Sequence, residues 1–216
     1  ELWVYKNKNK INFKNLKSNA NGVDINRNFP TQNAGLYYKS KGLLYNVSLE
    51  KNTGSKSYFG GYSLGSEPET KAAMYFMLKH YRSVVSYINL HSQGRVIYSG
   101  KPNLSNEFNN LSRKFASQIS NINKYIVYGI ESEEVGEGND GSATDFMSEI
   151  AHEMPFSLKT GRLSSNKYID PKVDYIVKYP VITLETIKTY TRNTEIFKDE
   201  YYDYGLRKVL FSLIGL

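Results

Sequence analysis

The chain has 216 residues, a formal net charge of +7 and no cysteine, with 40% hydrophobic and 23% charged residues. This length and balance are typical of a folded domain with a substantial core and exclude a largely disordered chain. The lack of cysteine excludes disulfides, thiolate metal sites and a cysteine nucleophile. No apolar stretch reaches the roughly eighteen residues of a membrane-spanning helix, so we expect no transmembrane segment.

The positive charge favours acidic partners, such as nucleic acid or an anionic cell-wall polymer. The lysines are scattered among Asn, Tyr and Ser, and the sequence has neither zinc-finger spacing nor an aromatic RNA-binding signature. We therefore expect no nucleic-acid partner, and an AT-rich genome is the simpler explanation of the lysine content. Because Glu1 is not an initiator methionine, we also expect a trimmed or processed chain.

The amino-terminal part of the sequence carries few regular patterns. Residues 6–21 are rich in Lys and Asn and predict a loop. Residues 31–64 are rich in Gly, Tyr, Ser and Asn and predict a long surface excursion. The first strong signal of secondary structure follows these two segments.

That signal is the sequence Ser66-Glu67-Pro68-Glu69, which has the spacing of a capping box. It predicts a helix that begins at Ser66, tolerates a proline in its first turn and ends near Tyr81. An apolar, β-branched run then predicts a buried strand over residues 84–90, followed by a short strand over residues 95–98.

Helical periodicity returns over residues 105–121. Its apolar positions recur at three- and four-residue steps and predict one buried face, formed by Phe108, Leu111, Phe115, Ile119 and Ile122. Residues 125–128 predict another strand. The sequence Ser142-Ala143-Thr144-Asp145 again has capping-box spacing and predicts the start of a helix.

The carboxyl-terminal part predicts a strand over 181–186 and a last helix from about residue 193. The residues that this helix is expected to bury are Leu206, Val209, Leu210 and Leu213. Strands that alternate with helices predict an α/β three-layer sandwich, in which helices cover both faces of a twisted, mixed and mainly parallel sheet. We expect residues 1–216 to form a single domain.

Three histidines occur in the sequence, His80, His91 and His152. His91 directly follows a predicted strand, and ligands of open α/β sheets bind outside the carboxyl ends of strands. A single histidine is more often structural, so both interpretations of His91 remain open. His80 lies near a helix end, and His152 lacks a second histidine one helical turn away, so we expect both to be structural or exposed.

Two further sets of residues are candidates for substrate binding or catalysis. Arg27 could hold a carboxylate with two parallel hydrogen bonds, and Asn26 could add an amide donor, although a simple polar turn is an equal alternative. Glu185 lies in an apolar strand, where burial would raise its pKa and suit a general base. A glutamate that reaches solvent at the end of the strand is the alternative.

Taken together, these motifs resemble the zinc metallocarboxypeptidase family. The matching segments, in chain order, are Gly22-Val23-Asp24-Ile25-Asn26-Arg27-Asn28-Phe29, Ser66-Glu67-Pro68-Glu69-Thr70, His91-Ser92-Gln93-Gly94, Gly141-Ser142-Ala143-Thr144-Asp145-Phe146 and Thr183-Leu184-Glu185. Residues 90–98 are most similar to a bacterial branch that cleaves γ-D-glutamyl-diaminopimelate bonds in cell-wall peptides. The resemblance implies a carboxypeptidase-like fold and a peptide or peptidoglycan stem-peptide substrate.

The resemblance also implies roles for individual residues. His91 is then a ligand of Zn²⁺, through a neutral imidazole, and Glu185 activates the attacking water and passes its proton to the departing amine. Asn26 and Arg27 hold the free carboxylate of the residue on the leaving side. Thr144 lies at the pocket for the side chain of that residue.

Parts of the family pattern are missing from the sequence. The family takes two more zinc ligands from a His-x-x-Glu motif upstream of the Asn-Arg pair, yet no histidine precedes His80. We therefore expect an amino-terminally truncated domain with an incomplete zinc site, which binds zinc weakly and is inactive. The family also uses an arginine upstream of the Asn-Arg pair to polarise the scissile carbonyl, and a mobile tyrosine shortly before the position of Gly141. In this sequence no arginine precedes Arg27, and no tyrosine lies shortly before Gly141. Asp24 does match a carboxylate that orients a zinc-binding histidine.

The leading functional hypothesis is a bacterial zinc peptidase that acts on cell-wall peptides. We expect it outside the cell or at the cell wall, with the cytoplasm as the alternative location. An ordinary metallocarboxypeptidase and a non-catalytic module that binds peptide carboxylates are the alternatives. The stretch over 152–179 is long for the family and predicts an inserted lid or hairpin. The sequence does not predict an oligomeric state.

Overall fold

The computed structural model of the chain describes residues 9, 17–31, 60–101, 104–129, 141–152, 156–157, 162–163, 179–187, 205 and 207–209. The chain divides into two compact units, Glu1–Ser83 with Gly136–Ile176 (unit 1) and Val84–Val135 with Val177–Leu216 (unit 2). Within the described ranges, no helix is long and apolar enough to span a membrane. The prediction of a single domain stays a prediction. The predictions for residues 32–59, 130–140 and 188–204 lie outside the described residues, as do those for Leu206, Leu210 and Leu213 of the last helix.

Each unit has its own helices and strands. In unit 1 they are a 3₁₀ turn at Ile25–Arg27, helix α1 at Pro68–His80 with a 3₁₀ turn at Tyr81–Ser83, helix α3 at Ala143–Ala151, and strands β4 at Phe156–Ser157 and β5 at Arg162–Leu163. In unit 2 they are β1 at Tyr87–Ser92, β2 at Val96–Ser99, helix α2 at Asn106–Asn123, β3 at Ile126–Val127 and β6 at Val181–Thr186. Strands β4 and β5 pair antiparallel, which confirms a hairpin within the long stretch after α3.

The sheet of unit 2 has the strand order β1-β6-β2-β3. Strand β6 is parallel to β1 and antiparallel to β2, and β2 is parallel to β3. The α/β class and the mixed, mainly parallel sheet with helices are therefore confirmed. Strand β6 enters the sheet between two strands that are consecutive in the chain, and it brings its carboxyl end to the same edge as that of β1.

The core of unit 2 lies between this sheet and α2. Its buried members are Ile97, Ala116, Ile119, Tyr125, Ile182, Leu184 and Val209, with Ile88, Phe115, Ile122 and Val127 packed against them. The predicted apolar face of α2 is thus confirmed. Helix α2 begins at Ser105, whose hydroxyl accepts the Phe108 N–H, and its buried Ser112 hydroxyl accepts the Val181 N–H at the start of β6. This second bond satisfies a buried backbone donor and fixes β6 against the helix.

Unit 1 is organised around the side chain of Asn28, which is fully buried. Its amide nitrogen donates to the carbonyl oxygens of Gly60 and Ser63 at 2.6 Å and 3.0 Å, and its amide oxygen accepts the Glu67 N–H at 3.1 Å. A Cβ on Gly61, whose φ is +87°, would lie 3.0 Å from the Asn28 amide nitrogen. Glycine is therefore required there by both the backbone conformation and the close approach.

The predicted capping box at the start of α1 is wrong. The N-cap residue is Glu67, which makes no side-chain cap bond, while the Ser66 hydroxyl donates to the Glu67 carboxylate at 2.7 Å. Asn19 and Asn21 also donate to this carboxylate, at 2.7 Å and 2.8 Å. The Ser66 hydroxyl, which a capping box would use, thus bonds to the side chains of Glu67 and Asn28 instead.

Strand β1 begins three residues later than the sequence predicts, at Tyr87, and it is not a fully buried strand. Val85 lies before the strand and is 79% exposed. Leu90 lies within β1, the terminal strand of the described sheet, and is 52% exposed. Terminal position leaves one side of a strand without a neighbouring strand, so apolar composition alone overestimates its burial. The predictions for β2, β3, α2 and β6 agree with the structure within two residues at each end.

Candidate active site

His91 and Glu185 lie side by side at the carboxyl ends of β1 and β6. They are register partners in the parallel pair, so their side chains project from the same face of the sheet. The His91 Nδ1 atom lies 4.0 Å from the Glu185 Oε1 atom, and the two side chains are 28% and 15% exposed. The position is accessible to a ligand while most of the Glu185 side chain is buried.

A side-chain hydrogen bond reinforces this pairing. The Thr186 hydroxyl donates to the His91 carbonyl oxygen at 2.9 Å, so the residue after Glu185 is joined to the backbone of His91 itself. Sequence reasoning did not identify Thr186, because its partner is 95 residues away along the chain. Tyr87 is also on β1, where burial raises the pKa of its phenol to about 12 and keeps it neutral near pH 7.

The turn between β1 and β2 passes over the carboxyl end of β6. Within it, the Ser92–Gln93 peptide bond is cis, and the Gly94 N–H donates to the Ile187 carbonyl oxygen at 2.8 Å. A Cβ on Gly94 would lie 3.2 Å from the Val96 Cγ2 atom and 3.7 Å from the Glu185 Cβ atom. The absence of a side chain at Gly94 thus allows the turn to pack closely against the strand end that carries Glu185.

Asn26 and Arg27 lie together in the 3₁₀ turn of unit 1. The Asp24 carboxylate accepts the Asn26 N–H at 3.2 Å and caps the turn. The Arg27 Nη1 atom donates to the Asn26 carbonyl oxygen at 2.7 Å. The implied role of Asp24 in orienting a histidine stays a prediction.

The amino terminus of α3 lies against this turn. The Ala143 N–H donates to the Asn26 side-chain oxygen at 3.1 Å, and the predicted capping box between Ser142 and Asp145 is confirmed. Thr144, the next residue of α3, is 9% exposed. Unit 1 therefore brings together the three residues expected to contact the leaving part of a substrate.

Further contacts hold the same two segments together. The Phe29 N–H donates to the Gly141 carbonyl oxygen at 2.9 Å, and the rings of Phe29 and Phe146 are 5.8 Å apart. Both rings are buried. The Asn-Arg segment and the start of α3 are thus joined by backbone, side-chain and ring contacts.

The described residues provide only part of the zinc site that the resemblance implies. His91 supplies one imidazole with a carboxylate beside it, which suits one ligand of a zinc site and its neighbouring acid or base. Over the described ranges, no group of three His, Cys, Asp or Glu side chains could hold a metal ion. A three-ligand zinc site therefore is not formed by the described residues, and the roles of His91, Glu185, Asn26, Arg27 and Thr144 stay predictions.

An imidazole and a carboxylate at the carboxyl ends of neighbouring parallel strands define a candidate hydrolytic centre in an α/β protein. Residues 3–186 match the family model described as zinc carboxypeptidase, and the chain belongs to this family. The family and the carboxypeptidase-like fold inferred from the sequence are thereby confirmed.

Individual relatives are similar over shorter stretches. A γ-D-glutamyl-L-diamino acid endopeptidase 1 of Lysinibacillus sphaericus is 36% identical over 98 residues, which is 45% of this chain and 22% of that protein. The human carboxypeptidase N catalytic chain is 39% identical over 77 residues, 35% of this chain and 14% of that protein. Bovine thrombin-activatable fibrinolysis inhibitor, solved in complex with a tick carboxypeptidase inhibitor, is 18% identical with a TM-score of 0.53, over 88% of this chain and 54% of that chain. The alignments thus span about a seventh to a half of these proteins.

Proposed function

We propose that the protein is a zinc-dependent peptidase that hydrolyses cell-wall stem peptides next to a free carboxylate. The observation that carries the choice of substrate is the 36% identity with a γ-D-glutamyl-L-diamino acid endopeptidase. The family membership supports peptide hydrolysis more broadly. The net charge of +7 favours association with an anionic cell-wall polymer, and we propose a bacterial protein located outside the cell or at the cell wall.

In this proposal Glu185 is the general base. It takes a proton from the attacking water and returns it to the departing amine, because its carboxylate is largely buried yet reaches the sheet edge. His91 would be a zinc ligand through its neutral imidazole. Zinc, when bound, supplies Lewis-acid polarisation and lowers the pKa of water.

Asn26 and Arg27 would bind the carboxylate on the leaving side of the scissile bond. A guanidinium offers two parallel donors to a carboxylate, and an amide adds a third. Thr144 would line the pocket for the leaving side chain, where a hydroxyl suits a polar group better than a large aromatic one. All three residues lie in unit 1, joined through the start of α3.

We also propose that the 216 residues on their own bind zinc weakly and are inactive. One imidazole does not complete the three-ligand site that catalytic zinc requires, and the sequence has no His-x-x-Glu motif before Asn26. Tests of activity therefore use the longest natural chain that contains these residues.

The test compares purified muropeptides with peptides that vary in their carboxyl-terminal residue. We expect cleavage of the γ-D-glutamyl bond in muropeptides and little release of ordinary carboxyl-terminal residues. The Glu185→Gln variant should lose about 100-fold to 10,000-fold in kcat with a stable fold, because the base is lost while the shape is kept. The Glu107→Gln variant, at an exposed position in the first turn of α2, is the matched control and should keep its activity.

The second candidate function is that of an ordinary metallocarboxypeptidase on α-linked peptides. The 39% identity with the human carboxypeptidase N catalytic chain favours it. Efficient release of carboxyl-terminal residues without muropeptide cleavage would establish this function and exclude the first. Binding of carboxylate peptides without any hydrolysis, with zinc supplied in excess, would instead support the non-catalytic module.

A further inference from the structure

We propose that the amino terminus of α3 is a positioning device for the carboxylate clamp, and that the Ala143 N–H fixes the Asn26 amide with its NH₂ group turned toward the ligand. Ala143 and the capping-box residues Ser142 and Asp145 would then set the preference for a free carboxylate over an amide. This inference rests on the proposed function and adds residues to it that act through Asn26.

The orientation of the Asn26 amide follows from its partner. The Ala143 backbone N–H lies 3.1 Å from one end of the amide, and a backbone N–H can only donate. The atom that faces it must therefore be the carbonyl oxygen of the amide. The NH₂ group consequently lies on the opposite side, where it can only donate.

The other polar groups of Asn26 are also engaged. Its backbone N–H donates to the Asp24 carboxylate, and its backbone oxygen accepts from the Arg27 guanidinium. In the part of the chain that the structure describes, no group accepts a hydrogen bond from the Asn26 NH₂ group. The NH₂ group is therefore the donor that Asn26 can offer to a ligand.

A fixed donor discriminates between ligands by their hydrogen-bonding chemistry. A carboxylate only accepts, so either oxygen can bind the Asn26 NH₂ group, and the Arg27 guanidinium adds charge. A carboxamide at the same place can present its own NH₂ group to Asn26, which cannot accept it. If the Ala143 contact were lost, the Asn26 amide could turn over and accept from a carboxamide, so the discrimination would fall.

The start of α3 is held firmly enough to act in this way. The Ser142 hydroxyl accepts the Asp145 N–H at 3.0 Å, and the Asp145 carboxylate accepts the Ser142 N–H at 3.2 Å. The Phe29 N–H donates to Gly141 directly before this box. The positive end of the helix also favours an anion nearby.

The variant that breaks the positioning contact is Ala143→Pro, in which the ring carbon that replaces the hydrogen also pushes the Asn26 oxygen away. Ala143 is the first residue of α3, where an N–H has no partner within the helix, so proline deletes the donor to Asn26 and spares the helix. Ser142 before it has φ −77° and ψ 163°, a conformation that a following proline permits. The matched control is Asn106→Pro, at the first position of α2 after Ser105, whose φ is −63° and ψ is 148°.

The first measurement compares the affinities of acetyl-D-isoglutaminyl-L-lysine, whose only carboxylate is at its carboxyl terminus, and of its carboxyl-terminal carboxamide for the 216-residue chain, by NMR titration. We expect the native chain to prefer the carboxylate and Ala143→Pro to lower this preference about threefold to tenfold, as expected for one hydrogen bond. Asn106→Pro should leave it unchanged. A preference that Ala143→Pro retains overturns the positioning role, whereas equal binding or no binding of both peptides by the native chain overturns the carboxylate specificity of the proposed function.

A second measurement needs no ligand. The side-chain ¹⁵NH₂ signal of Asn26, assigned by its loss in Asn26→Asp, should report a rigid amide in the native chain and in Asn106→Pro, and a mobile one in Ala143→Pro. Ser142→Ala should loosen the same signal and Ser142→Thr, which keeps the hydroxyl, should restore it. An Asn26 amide that stays equally rigid in Ala143→Pro and Ser142→Ala overturns the inference even when no peptide binds.

Discussion

At the scale of single residues, the Asn28 side chain joins several described segments of unit 1. One amide bridges three separate backbone groups, at Gly60, Ser63 and Glu67. The bonds to Gly60 and Glu67 are buried, and buried donors and acceptors are costly when unsatisfied. Asn28 directly follows Arg27, so the same amide that organises the unit also fixes the backbone of the candidate carboxylate clamp.

Replacement of Asn28 by alanine should therefore destabilise the protein strongly. We expect a loss of about 2–5 kcal/mol in the free energy of unfolding, because two buried backbone groups lose their partner at once and the buried side chain leaves a space. Urea unfolding followed by circular dichroism measures it. Asn110→Ala, at an exposed position on α2, is the control and should change stability by less than about 0.5 kcal/mol; equal effects of the two substitutions would contradict the role of Asn28.

The Glu67 carboxylate makes the folding stability of the protein depend on pH in the acidic range. Burial alone would raise its pKa, but hydrogen bonds from Asn21, Asn19 and Ser66 outweigh this effect, with a smaller contribution from the charge of Lys71. The pKa of Glu67 is thus held below its ordinary value of 4.5. A pKa lowered by folding contributes stability above the unfolded value, and this contribution is lost as the pH falls through the folded value.

Glu67→Gln should therefore reduce stability at pH 7 more than at pH 3. At pH 3, which is below the ordinary value of 4.5, the carboxylate is mostly protonated in the unfolded chain, so the charged form contributes less to stability than at pH 7. Urea unfolding of both chains at the two pH values tests this. A stability difference that is the same at pH 3 and pH 7 would show that the charge of Glu67 is not what matters.

At the scale of elements, local signals succeeded where the partners of a motif are also local. The capping box at Ser142 is correct because its two members bond to each other. The similar pattern at Ser66 failed because both side chains of the expected box have other partners. The Ser66 hydroxyl bonds to Glu67 and to the distant Asn28, and the distant Asn19 donates to the Glu69 carboxylate. The sequence also placed His91 and Glu185 at strand ends, but no local pattern indicates that β6 lies beside β1, and this pairing is what brings the two side chains together.

The contrast between β6 and β1 gives a direct test of the sheet. Leu184 and Leu90 are register partners, yet Leu184 is fully buried and Leu90 is 52% exposed. Leu184→Ala should cost about 2–5 kcal/mol in the free energy of unfolding, because it leaves a cavity in the core against α2. Leu90→Ala is the matched control and should cost less than about 1 kcal/mol; a larger cost at Leu90 would mean that β1 is covered on that face.

At the scale of the whole molecule, family membership and metal binding need not coincide in this chain. The family match covers residues 3–186, yet the sequence has only three histidines, and one of them, His91, is implied as a ligand. The sequence could identify the family because its motifs are short and ordered along the chain. Resemblance to the family does not show how many zinc ligands the chain provides, and zinc binding depends on that number.

Zinc content is the corresponding prediction for the intact 216-residue chain. After dialysis against buffer without chelator, we expect well under one zinc per chain by atomic absorption, because a single imidazole holds the ion weakly. The His91→Ala variant should lose the residual zinc. About one tightly held ion per chain would show that other residues complete the site.

The insertion of β6 between β1 and β2 has a consequence for biosynthesis. The two strands that flank β6, which are β1 and β2, emerge from the ribosome first, yet each forms its pairing with β6 only after residues 181–186 have been made. Pairings that close such long loops form slowly, so the nascent chain exposes unpaired edges of β1 and β2 until β6 has emerged. Ribosome-stalled chains that end before residue 181 should therefore be digested readily by protease in the region of β1 and β2, and chains that extend well past residue 187 should resist digestion there.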